Sequence, residues 1–181
     1  MIDWPAERQR FVEEFVEPRG DDPVFPFPVR ALAMIERELS DRLWPRVLDC
    51  GSGFSSVAFR LIEHADVVTC DHDGEYMAAI QDYCDGRGLG YGVFATLYEV
   101  LEQRDEFDLI LVDHGPDAQA RIRDLPTLAT MLAPDGVIWL DDMHKKHGGQ
   151  MEHILKQLGF TVERIPTELR RVGRAKLKGE G

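Results

Sequence analysis

The protein is poor in cysteine. Cys50, Cys70 and Cys84 are the only three in 181 residues, so any pairing leaves one over, and none lies in a C-x-x-C spacing of zinc or redox sites. A disulfide-held secreted scaffold is thereby disfavoured, and reduced, buried thiols are expected. Long apolar runs are missing as well. Nothing approaches the roughly 18 uninterrupted apolar residues of a membrane span, and Asp3, Glu7 and Arg8 do not suit a signal peptide, so the expected compartment is the cytoplasm, with no membrane partner. Positive charge is also scarce: 21 Lys and Arg stand against 33 Asp and Glu, a net charge of −12. Such a surface repels a phosphate backbone at long range and disfavours nucleic acid as a substrate. The one basic stretch is 164–178, where Arg164, Arg170, Arg171, Arg174, Lys176 and Lys178 face Glu168 alone. It reads as a solvated strand face, with a contact for an acidic partner as the alternative.

What is present is ordinary for a globular protein: 44% hydrophobic and 30% charged residues in a single-domain length. Five of the ten prolines fall in the first 28 residues, which are expected to form an arm or lid ahead of one domain spanning 29–181. Trp4, Phe25 and Phe27 in that arm either close over a small ligand or pack onto the sheet. Leu32, Ile35 and Leu39 recur at helical spacing. Strand-like and helix-like segments then alternate: "RVLDC", "DVVTCD", "YGVFA", "FDLILVD" and "GVIWLDD" are strands, apolar nearly throughout, with helices between them. Such strands must be covered on both faces, which gives a doubly wound, mostly parallel α/β sheet. "FTVERI" and "RRVGRAKLK" complete seven strands. Only about six residues join these two, too few for a parallel crossover, so they are expected to form an antiparallel hairpin.

In a doubly wound sheet the ligand crevice lies at the carboxyl ends of the strands, where strand order reverses. Gly51 and Gly53, in "LDCGSGFSS", sit in the first strand-to-helix turn, where bare backbone admits close approach of a ligand and the next helix offers unpaired N–H groups. Asp71 ends the second strand 20 residues after Gly51, placed to accept hydrogen bonds from ribose hydroxyls. Ser56 replaces the third glycine of a dinucleotide fingerprint, and Asp49 before the turn would repel a pyrophosphate while suiting a cationic group.

These residues resemble the first motif of class I S-adenosylmethionine-dependent methyltransferases, a family with a Rossmann-like fold and an antiparallel seventh strand. The resemblance implies that Gly51 and Gly53 hold the methionine end of S-adenosylmethionine, that Asp71 holds the ribose, with Asp73 as its substitute after a register slip, that Asp49 lies nearby and that His72 lies against the adenine. A solvated turn is the competing role for His72.

Asp113 closes the fourth strand, and Asp141 with Asp142 closes the fifth. Three carboxylates at one crevice repel one another unless a cation or protonation relieves them, and all-oxygen ligation suits Mg²⁺ or Ca²⁺. "LVDHG" followed by "LDDM" is similar to the catechol-type, metal-dependent O-methyltransferases, which implies a metal on Asp113, Asp141 and Asp142. Asp142 departs from that pattern's Asn, and Pro116 stands about where its general-base lysine would be. His114, His144 or Lys145 could take the proton instead, and Asp113, His114 and His144 are the candidate catalytic residues. Acids at these positions also contact the cofactor or cap helices in metal-free members. His144, His147 and His153 read as solvated side chains rather than a transition-metal site. No Asp/Asn-Pro-Pro-Tyr/Phe run for gripping a flipped base is present.

The expected activity is transfer of a methyl group from S-adenosylmethionine to a small-molecule acceptor, an oxygen most readily, with Mg²⁺ as an optional assistant (EC 2.1.1.-). Two rivals stand beside it: a non-catalytic binding protein of the same fold, and an NAD-dependent oxidoreductase, which would bring a parallel final strand.

Overall fold

The computed structural model describes residues 1–20, 27–89, 92–103, 105–114 and 118–178. Phe25 and Pro116 lie outside them. The strands are β1 (Arg46–Cys50), β2 (Asp66–Asp71), β3 (Val93–Thr96), β4 (Phe107–Val112), β5 (Leu132–Leu140), β6 (Phe160–Pro166) and β7 (Arg171–Leu177). They form one sheet in the order β3-β2-β1-β4-β5-β7-β6. The first five are parallel to one another, and β7 runs antiparallel to both β5 and β6, as the short connection requires. The order reverses between β1 and β4, so the crevice opens above Cys50 and Val112.

Helices α3 (Val29–Leu39), α4 (Phe54–Leu61) and α5 (Gly74–Gly86) cover one face, burying Leu32, Ile35, Val57, Phe59 and Ile80 against Val47, Leu109 and Trp139. Helices α6 (Leu97–Gln103), α7 (Ala118–Thr130) and α8 (Lys146–Gln157) cover the other, where Val100, Leu125, Leu128, Met151 and Leu155 meet Leu48, Ile110 and Ile138. Two-sided burial explains why these strands are apolar at consecutive rather than alternate positions. The sequence pattern did not reveal α6, whose seven residues bury Val100 alone and so carry almost no periodicity.

Within the segment expected to form an arm or lid, residues 4–19 are helical. Helix α1 (Trp4–Phe11) passes through a π-helical turn, Val12–Val16, into α2 (Glu17–Arg19), which ends at Gly20 in the left-handed region (φ 64°). Trp4, Phe11, Phe15 and Val16 are buried in the same cluster as α3 and α4, so this segment belongs to the core. Phe11 and Phe15 stack with centroids 5.0 Å apart and meet Tyr83 edge-on. A wide π-turn places Phe11 and Val16 together over the crevice.

Candidate active site

A cavity of about 380 Å³ opens at the carboxyl ends of β1, β2, β4 and β5. Its floor is Gly51, Ser52, Gly53 and Asp71, one wall is Asp113, Asp141 and Asp142, and Phe11, Val16 and Phe27 form the roof. Gly51 is required by packing: at φ 119°, a Cβ there would stand 2.8 Å from both atoms of the Asp113 backbone carbonyl. That contact seats the turn on the end of β4. Gly53 faces open space instead, so its bareness is presented to the cavity.

Asp71 is fully engaged by its own surroundings. Oδ2 accepts from the Ser52 N–H (2.6 Å) and hydroxyl (2.7 Å), and Oδ1 accepts from the N–H groups of His72 (2.6 Å) and Asp73 (3.1 Å). The His72 ring is 2.7 Å from the same oxygen and 58% exposed, outside the cavity lining. Burial works to raise the Asp71 pKa, but the Ser52, Asp73 and His72 donors hold it below the ordinary aspartate value. Asp73 serves as the α5 N-cap, accepting from Glu75 and Tyr76, and does not replace Asp71.

Asp49 is not at the crevice surface. It is wholly buried beneath the turn, where Oδ2 accepts from the Ser56 hydroxyl (2.6 Å) and Oδ1 has no hydrogen-bond partner among the described residues. Burial pushes its pKa up to about 7. Ser56, standing where a third glycine was absent, accepts from the Gly53 N–H (3.1 Å) and so couples Asp49 to the turn.

The three crevice carboxylates are brought together as expected, but the positive charge among them comes from the protein itself. Arg170 grips Asp141 in a two-pronged pair, with Nε 2.6 Å from Oδ1. Arg121 reaches Asp113 Oδ1 (3.0 Å) and donates to the backbone oxygens of Asp113 and His114. Lys145 lies 2.5 Å from Asp142 Oδ2. The expected metal set therefore does not fit a divalent cation: both oxygens of Asp141 and one each of Asp113 and Asp142 are already paired with guanidinium or ammonium groups, and among the described residues no cluster of three His, Cys, Asp or Glu side chains is arranged to hold a metal ion. Burial and then the neighbouring Asp141 charge raise the Asp113 pKa well above the usual carboxylate range. Asp142, in the left-handed region (φ 57°), is pressed upward by burial yet held below its ordinary value by Lys145, Arg170 and Arg121.

Of the catalytic candidates, only Asp113 lines the cavity. His114 is buried with Nε2 3.3 Å from Asp124 on α7, and burial lowers its pKa. His144 is exposed at the rim, its Nδ1 4.0 Å from Asp142. Arg121 and Arg170 went unrecognised in the sequence. Arg170 sat in the basic stretch, where its pairing follows only from topology: β7 is antiparallel, so the start of β7 lies beside the end of β5, with Leu140 opposite Gly173.

A doubly wound sheet with this turn, this order and an antiparallel last strand is the class I S-adenosylmethionine-dependent methyltransferase fold. The match to a methyltransferase domain family covers residues 48–143, more than half of the sequence, and the protein belongs to that family. Solved structures agree in fold. A Staphylococcus aureus protein, provisionally assigned as a caffeoyl-CoA O-methyltransferase, aligns over 93% of this protein and 91% of its own length at 16% identity, TM-score 0.72. SAH-bound PaMTH1, a methyltransferase of Podospora anserina, aligns over 98% and 89% at 16% identity, TM-score 0.70. An O-methyltransferase from Bacillus cereus, in complex with SAH, aligns over 97% and 98% at 13% identity, TM-score 0.69. Comparison with curated proteins by sequence gave no match. The antiparallel hairpin counts against the dinucleotide oxidoreductase rival, which required a parallel final strand. Among the described residues no helix is long and apolar enough to cross a membrane.

Proposed function

We propose that the protein transfers a methyl group from S-adenosylmethionine to a hydroxyl oxygen of a small acceptor in the cytoplasm, without a metal. The observation that carries this reading is the cavity bounded by the glycine turn, Asp71 and Asp113 on a member of the methyltransferase family. Gly51, Ser52 and Gly53 would hold the methionine end, and Asp71 the ribose hydroxyls. The Ser52 hydroxyl and the His72 ring must then turn away, since they occupy its oxygens. Asp113, with its raised pKa, is the group in the cavity suited to receive the acceptor's proton. The bond changes are an in-line displacement: an oxygen lone pair forms the new O–C bond, and the C–S bond breaks with its electrons to sulfur. Alignment under the roof of Phe11, Val16 and Phe27, away from water, supplies most of the rate.

The saturation of Asp71 favours one second reading, a non-catalytic member of the family. Calorimetric titration with S-adenosylmethionine and S-adenosylhomocysteine, with and without Mg²⁺, separates the two. Micromolar binding that is indifferent to Mg²⁺ is expected, and absence of binding by both nucleosides would end the methyltransferase proposal.

A further inference from the structure

The crevice is lined by four carboxylates, Asp71, Asp113, Asp141 and Asp142, and by three cations, Arg121, Lys145 and Arg170, and the cations are not equivalent. The side chains of Arg121 and Arg170 are each 9% exposed and are fixed on Asp113, Asp141 and backbone oxygens. Lys145 is 52% exposed, lines the same cavity and pairs with Asp142. Its position is set by the start of α8, where Gly148 lies so close to Met143 that a Cβ would stand 2.7 Å from the Met143 Cα. An exposed pair of this kind is worth about 0–1 kcal/mol, and the ammonium rides on a flexible four-carbon stem. When it swings away, Asp142 is still faced by Arg121 Nη1 at 3.7 Å and Arg170 Nε at 4.0 Å. Lys145 is thus the cation that an incoming anion can recruit without leaving a buried carboxylate uncompensated. The roof over this charged end is apolar: Phe11, Val16 and Phe27.

We infer that the acceptor is a small, partly apolar hydroxy acid whose carboxylate is bound by Lys145 while its hydroxyl is turned toward Asp113. This rests on the proposed methyl transfer and names the class of its acceptor. Lys145 binds the spectator carboxylate and takes no part in the chemical step.

The test is calorimetric titration of the S-adenosylhomocysteine-bound protein with 4-hydroxybenzoate, 3-hydroxybenzoate and 3-phenyllactate, each against its uncharged amide. At least one acid is expected to bind, with its amide at least tenfold weaker. Lys145→Met should reduce the acid to the level of the amide and Lys145→Arg should restore it, while both variants keep wild-type affinity for S-adenosylhomocysteine, which also reports that they are folded. Acid and amide binding alike, Lys145→Met without effect on the acid, or no acid binding at all would overturn the inference alone. Failure of S-adenosylhomocysteine itself to bind would overturn the methyltransferase proposal and this inference with it.

Discussion

Asp71 accepts from Ser52, His72 and Asp73 at once, so it organises the turn before it can serve a ligand. Asp71→Ala is expected to weaken S-adenosylhomocysteine binding by about 1–3 kcal/mol, the range for lost hydrogen bonds to a charged group. Ser52→Ala, which only clears one occupant from Oδ2, should leave that affinity equal or tighter; parallel losses in both variants would show that Asp71 acts on the turn alone. Asp49 makes a different demand. Aspartate titrates near about 3.9 in an unfolded polypeptide, whereas the folded protein holds this proton until about pH 7. The folded state therefore binds more protons in that window, and Asp49 lowers stability as pH rises from about 4 to 7, with no further loss above. Asp49→Asn should flatten this slope in thermal melts and raise the melting temperature at pH 8, by about 2–4 °C for each kcal/mol recovered. Spacing in the sequence suggested a ribose role for Asp71 and a cationic-group role for Asp49, but spacing carries no depth, and Asp49, just before the turn in sequence, is buried beneath it.

At the scale of elements, the hairpin between β6 and β7 does more than close the sheet. Glu168 at its tip accepts from the Val29 N–H (2.7 Å), satisfying an unpaired donor at the start of α3 across 139 residues of sequence, beside the roof residue Phe27. Loss of this cap in Glu168→Ala should cost about 0.5–1 kcal/mol in urea unfolding, the lower part of the capping range because the carboxylate is exposed. The strands were legible because apolar runs of about four to six residues ended in Gly, Asp or Pro, and the hairpin because about six residues cannot span a crossover. The helical character of residues 4–19 was hidden. Prolines at 5 and 18 masked it, although each stands near a helix start, where a missing N–H is harmless.

For the whole molecule, the net charge of −12 gives little hint of the crevice, where three of the four lining carboxylates are paired with cations. The sequence placed the carboxylates correctly and left their counter-charges open, because Arg121 and Arg170 approach from elements whose position depends on the completed sheet. S-adenosylhomocysteine at about 100 times its dissociation constant should add about 2.7 kcal/mol of stability by mass action. A melt series with EDTA and then Mg²⁺ should leave that shift unchanged; a shift that grows with Mg²⁺ would restore a metal to Asp113, Asp141 and Asp142.

Because Arg170 is borne on the β6–β7 hairpin, the crevice is electrically complete only once that hairpin has docked beside β5. Burying Asp141 without its guanidinium would leave an uncompensated carboxylate, which favours an open, solvated end of β5 until β7 docks. Ligand binding is therefore tied to the docking of this hairpin, and a polypeptide truncated after β6 would lack a competent crevice even with every glycine and aspartate in place.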